Sequence, residues 1–121
     1  MNRACPDVFL ADCPARTTLE LISDTWSVVV IAGLGERPRR FGELRERIGG
    51  ISKKMLAQTL RRLQDNGLVD RRIVPGAPAG VEYRLTPLGE TLREPIQVLT
   101  NWAEEHAADV LAAHDAQLAA A

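Results

Sequence analysis

Residues 51–66, Ile-Ser-Lys-Lys-Met-Leu-Ala-Gln-Thr-Leu-Arg-Arg-Leu-Gln-Asp-Asn, constrain the fold more than any other stretch, because both ends and both faces of a helix are written into them. Leu56, Leu60 and Leu63 recur at spacings of four and three, which lines one side with apolar groups. Lys54, Gln58 and Arg61 keep the same spacing on another side. Ser52 stands where an N-cap would accept from the first free amides, and Gly67 can take the left-handed conformation that closes a C-terminus. Lys53, Lys54, Gln58, Arg61 and Arg62 on such a helix suit the major groove of DNA: lysine and arginine match guanine O6 and N7 or phosphates, and glutamine pairs with adenine. Taken alone, the pattern fits a solvated surface helix at least as well. The neighbouring segments decide between the two.

A chain of 121 residues is one domain by length, with 45% hydrophobic residues to build a modest core. Its net charge of −1 conceals an uneven distribution. Residues 37–84 hold twelve of the 15 Lys and Arg but five of the 16 Asp and Glu, a local excess of seven cations inside an acidic frame. Affinity for DNA follows locally placed cations that displace counterions, so the local excess is the informative quantity. The longest apolar run, residues 28–32, is far shorter than a membrane span, and the N-terminus lacks a basic region leading into an apolar signal core. The expectation is a cytoplasmic protein with no membrane partner.

In chain order, residues 1–12 read as an arm without periodicity, and Cys13-Pro14 opens a short helix through Leu19 and Ile22. Ser23 or Asp24 caps a second helix, in which Trp26, Val30 and Leu34 keep a spacing of four. Its β-branched run is also compatible with a buried strand. Arg37-Pro38-Arg39-Arg40 reads as punctuation, and Phe41, Leu44 and Ile48 mark a third helix that ends at Gly49-Gly50. That helix, a glycine turn and the basic helix make a helix-turn-helix, with Arg39 and Arg40 placed for phosphate contacts that set register.

After Gly67 the pattern becomes extended. Residues 68–74 and 81–85 are rich in strand formers, with Pro75-Gly76-Ala77-Pro78-Ala79-Gly80 between them, which predicts a hairpin beside the basic helix, a wing. Arg71, Arg72 and Arg84 on its flanks are candidates for phosphate or minor-groove contacts; the tip carries no cation. Thr86-Pro87 starts a long C-terminal helix, expected to bend near Glu94 because Pro95 removes one backbone bond. Its stripe of Leu88, Leu92, Ile96 and Leu99, widened by Val98 and Trp102, exceeds what one small core needs and points to a second copy of the chain. Residues 107–121 form an alanine-rich tail that stays helical or frays.

Together these segments resemble a known family. Cys13-Pro14, the Trp26 helix, Arg39 through Leu44, Ile51 through Leu56, Leu60 through Val69 and Val81 through Gly89 are similar to the HxlR family of bacterial winged-helix transcriptional regulators, over about residues 13–106. The resemblance implies a mainly α fold with a small β-hairpin (α+β), a winged helix-turn-helix with additional N- and C-terminal dimerisation helices. It implies a homodimer on double-stranded DNA, bound to a partly palindromic operator with one recognition helix per half-site. The candidate DNA contacts are then Arg39, Arg40, Ser52, Lys53, Lys54, Gln58, Arg61, Arg62, Arg71, Arg72 and Arg84, and the candidate dimer residues are Leu92, Ile96, Leu99 and Trp102. Thr25 departs from the family, which usually has lysine before the tryptophan. The resemblance also implies that Cys13 senses an oxidant or electrophile. At an N-cap, free amides and the helix dipole favour a thiolate, Arg16 adds to the effect and Asp12 opposes it. A small buried cysteine that only packs is the competing reading.

Cys5 lies eight residues before Cys13, a spacing of neither a redox Cys-x-x-Cys nor a usual zinc pair, so it reads as a resolving thiol or an arm residue. His106 and His114 are eight apart and lack the adjacent-turn spacing of a metal site. No nucleotide-binding glycine loop, activated serine or clustered carboxylate pair appears. No cofactor, no metal and no enzymatic activity are expected. The alternatives to a thiol-switched regulator are a regulator that answers to a small ligand, and a winged-helix module that binds another protein through its C-terminal apolar surface.

Overall fold

The computed structural model describes residues 7–76 and 80–121, so Cys5 and the apex of the hairpin at 77–79 lie outside the described residues. Most of the helices begin where a capping side chain or a proline stands. Helix α1 (Pro14–Ile22) has Cys13 at its N-cap and Pro14 as first residue. Helix α2 (Thr25–Glu36) is capped by Asp24, which accepts from the Ser27 amide, so the β-branched run is helical. Strand β1 (Arg39–Arg40) leads directly into α3 (Phe41–Arg47), where Glu43 accepts from the Arg40 amide. Helix α4 (Lys53–Asp65) is capped by Ser52, which accepts from the Met55 amide, and the chain leaves it through Gly67 at φ 78°.

Strands β2 (Val69–Val74) and β3 (Gly80–Leu85) form the expected hairpin. The sheet has a third member: β1 pairs with β3, giving the antiparallel order β1-β3-β2, so the segment read as punctuation is an edge strand. A two-residue strand has no periodicity to detect, and its existence depends on a neighbour more than 40 residues away.

The C-terminal segment also differs from expectation. Thr86 caps a four-residue helix, α5 (Pro87–Glu90), and a new helix, α6 (Arg93–Ala120), follows after Thr91 and Leu92. Pro95 therefore lies in the first turn of α6, where its missing N–H has no intrahelical acceptor to lose. The proline marks where a helix starts, and the expected bend near Glu94 is replaced by the break at 91–92. From there α6 runs unbroken through Ala120.

The core lies between α2, α3, α4 and the inner face of the sheet. Val30, Ile31 and Leu34 of α2 meet Leu44, Leu56, Leu60, Leu63, Val69 and Leu85, and Ile96 of α6 closes one end. The apolar stripe of α4 is fully inside, which leaves the opposite face of that helix to solvent. No single helix among the described residues is long and apolar enough to cross a membrane.

Candidate nucleic-acid interface

The chain contains three consecutive arginine pairs in its basic segment, and the fold separates the members of each. Residues next to each other on a helix are about 100° apart, and on a strand they point to opposite faces. In Arg61-Arg62, Arg61 lies on the exposed side of α4, while Arg62 turns towards α2 and donates to Asp24 Oδ2 at 2.9 Å and to Ser27 Oγ at 2.6 Å. Ser27 is fully buried and in turn donates to Asp24 at 2.9 Å. Partial burial opposes ionisation of Asp24, but the Ser27 amide and hydroxyl and the Arg62 charge hold its carboxyl below the usual range.

In Arg39-Arg40, Arg39 is 8% exposed. Its Nε donates to the Gly33 carbonyl at 3.1 Å and its Nη2 to Glu36. Arg47 donates to both oxygens of the same carboxylate at 2.9 and 2.8 Å. The Arg47 hydrogen bond, joined by that from Arg39, lowers the Glu36 carboxyl to about 2 despite an opposing desolvation effect. Arg39 is thereby a core strut joining α2 to the sheet, where the sequence reading had it on a phosphate. Arg40 points to the opposite face of the strand, against Gly80.

In Arg71-Arg72 the register with β3 decides. Arg71 is opposite Tyr83 and Arg72 opposite Glu82, so the two lie on different faces of the sheet. Arg72 pairs with Glu82 at 2.9 Å on the outer face, next to Arg84, whose Nε is 3.9 Å from Asp70. Arg71 is on the inner face, beside α4.

The result is a sorted set. Among the described residues, Lys53, Lys54, Arg61 and Arg71 are the lysines and arginines that make no ion pair or hydrogen bond within the protomer. All four lie on the exposed side of α4 or on the strand next to it, and Gln58 is exposed on the same side of the helix. A helix following a glycine turn, with its apolar side buried and unneutralised cations outward, is the geometry of a helix offered to a polyanion.

The comparisons with known proteins agree with that geometry. Residues 21–110 match the model of the HxlR-like helix-turn-helix family. The chain belongs to this family. It is 41% identical to the HTH-type transcriptional regulator YtfH of Escherichia coli over 113 residues, 93% of this chain and 90% of that protein. Its fold superposes on the structure of the transcriptional regulator ytfH from Salmonella typhimurium with a TM-score of 0.78 at 38% identity, covering 90% of this chain and 97% of the other. The redox regulator HypR in its reduced form aligns with a TM-score of 0.72 at 32% identity, covering 83% and 98%. This HxlR-like chain is accordingly a helix-turn-helix transcriptional regulator with a winged-helix fold.

The remaining candidate residues of the HxlR-like chain fall into two groups. Ile96 is 5% exposed and packs in the protomer's own core, which leaves it no free surface for another chain, while Leu92 is partly buried against that core. Leu99 and Trp102 are each 54% exposed, beside Val98. The Trp102 ring stacks on His106 with centroids 4.8 Å apart. Cys13 is 1% exposed. It sits at the N-cap of α1 as expected, but its thiol makes no capping bond and faces inward, away from the solvent that a reactive thiolate requires. Helix α1 itself contains no buried residue. Among the described residues no cluster of three or more His, Cys, Asp or Glu is arranged to hold a metal.

Sequence reasoning missed the Asp24 to Arg62 clamp and the groove between α4 and the wing, where Gln64 and Tyr83 lie. For the groove a signal existed: strand alternation already puts Arg71 on the same face as Val69, the core side.

Proposed function

We propose that this chain acts as a homodimer that binds a partly palindromic operator, placing α4 in the major groove of each half-site. The observation that carries the reading is the sorting of cations: among the described residues, those left without an internal partner are confined to α4 and the adjoining strand. Lys53, Lys54, Gln58, Arg61 and Arg71 are the proposed contacts, with Gln58 and Lys54 reading base edges and the others holding phosphates. Ser52 can donate its hydroxyl hydrogen to a phosphate while its oxygen caps α4. Arg72 and Arg84 contribute long-range attraction from the outer face of the wing, while Arg39 and Arg62 support the fold. Leu99, Trp102 and Val98, exposed along α6, form the dimer face with Leu19 of α1, itself half exposed.

Cys13 is the proposed switch. Support comes from its position at the N-cap of α1, an element with no buried residue of its own, so that local opening at the start of α1 exposes the thiol at small cost. The likeness to HypR, a protein described as a redox regulator, points the same way. A thiol reached through local opening reacts more slowly than an exposed one, and oxidation then holds α1 away from its seat.

The test is binding to DNA upstream of the chain's own and neighbouring genes, across a salt series, reduced and after diamide, with Cys13→Ser in parallel. Binding that weakens steeply with salt is expected, because several phosphates are neutralised. It should change on diamide treatment of the wild type, return with reductant, and stay constant in Cys13→Ser. A flat salt response removes the DNA reading; unchanged binding after diamide removes the switch alone and turns attention to a ligand.

A further inference from the structure

Between α4 and the wing runs a groove of about 470 Å³. Its walls come from two directions. Ala57, Arg61 and Gln64 lie along one edge of α4 at helical spacings of four and three, and Ala57 is too small to fill the space in front of it. Arg71 and Tyr83 face them from neighbouring strands, held side by side by direct cross-strand pairing. Asp65 stands at the end of α4, one turn beyond Arg61.

Neither arginine is neutralised inside the protomer, so two guanidinium groups and one carboxylate give the groove a formal excess of one positive charge. The Tyr83 hydroxyl and the Gln64 amide add neutral donors that no internal acceptor occupies. One positive charge with several convergent donors matches a single phosphodiester, a monoanion with two unshared oxygens. It matches a second adjoining phosphate poorly, because Asp65 would then face it.

We propose that this groove seats one phosphate of the DNA strand. Arg71 and Arg61 hold its charge, Tyr83 and Gln64 orient its oxygens, and Asp65 keeps the next phosphate out and so fixes the register of α4. The inference rests on the DNA-binding reading above and adds to it Tyr83 and Gln64 as positioning donors and Asp65 as a repulsive gate.

The experiment uses the full chain and operator duplexes in which one phosphate at a time is replaced by an uncharged methylphosphonate. For the wild type, one position per half-site should weaken binding roughly tenfold more than its neighbours, the value of a charge-assisted contact. At that position alone, Arg71→Ala should reduce the methylphosphonate effect to about twofold or less, because most of the charge-assisted contact is already lost, and Tyr83→Phe should reduce it by a smaller factor, since the arginines still hold the charge. Tyr83→Phe keeps the ring that packs on the core, so its fold serves as the control. Asp65→Asn should tighten binding to every sequence alike. Salt-sensitive wild-type binding in which the methylphosphonate and protein substitutions are additive at every position overturns the phosphate seat and leaves the DNA reading standing. Absence of salt-sensitive binding by the wild type overturns both.

Discussion

Arg62 Nη2 lies 2.9 Å from Asp24 Oδ2, tying the last turn of α4 to the cap of α2 across 38 residues of sequence. The same guanidinium donates to Ser27, so the orientation of α4 is set from its side as well as from its apolar stripe. The neighbouring Arg61 makes no such bond and is left to solvent.

Replacing the two arginines should therefore have separable effects. Arg62→Ala should lower stability by about 1–2 kcal/mol, a value discounted for its partial exposure, with the fully buried Ser27 hydroxyl losing a donor. Arg61→Ala should change stability by less than about 0.5 kcal/mol, and reduce the slope of log affinity against log salt by about one. Urea unfolding and a salt series of operator binding, run on both variants, measure the two effects.

Gln58→Ala should leave the fold intact, since the side chain is exposed and its helix is held from the opposite face. If Gln58 reads a base, discrimination between the operator and single-base variants at one position should fall by about 1–3 kcal/mol, with non-specific affinity unchanged. Equal discrimination by both proteins would remove this role from Gln58.

The Arg39, Glu36 and Arg47 cluster predicts an acid sensitivity. In the folded chain the Glu36 carboxyl is held at about 2, against an ordinary value of 4.5. The unfolded chain takes up its proton first, so the stabilisation is complete above about pH 4.5 and fades as pH falls towards 2. Thermal unfolding of the wild type and Glu36→Gln should differ most at neutral pH and converge through that window. A difference that stays constant down to pH 2.5 would contradict the cause assigned here.

Gly89 permits the chain to close behind the wing. A Cβ there would come within 2.1 Å of the Leu68 carbonyl oxygen, which also accepts from the Thr86 amide. Gly89→Ala should cost about 2–3 kcal/mol through overpacking, visible as a lower denaturation midpoint. Gly49→Ala, where nothing lies within 4 Å, is the matched control with little effect.

Trp102→Glu should convert a dimer into a monomer in sedimentation at micromolar concentration and weaken operator binding at the same time, while circular dichroism stays unchanged. Ile96→Glu should instead unfold the protomer, because that side chain is inside its core. A Trp102→Glu protein that sediments as a dimer would exclude this face of α6.

Much of the fold was legible in the sequence because it is written locally. The ends of α4 follow from Ser52 and Gly67, the start of α2 from Asp24, the start of α5 from Thr86-Pro87, and the winged helix-turn-helix from their order. Periodicity told which side of α4 is apolar, and strand composition told where the hairpin lies. Caps and periodic stripes depend on residues within one or two turns, so sequence carries them directly.

The tertiary structure alone decided which cations remain available. Arg61 and Arg62, or Arg71 and Arg72, are equivalent as letters, and only the positions of Asp24 and Glu82, brought in from other elements, remove one of each pair. It also decided that Arg39-Arg40 is a strand, that Ile96 belongs to the core and that Cys13 is covered. Neutralisation and burial are properties of what lies across a gap in space, and local spacing fixes only the direction in which a side chain leaves its own backbone.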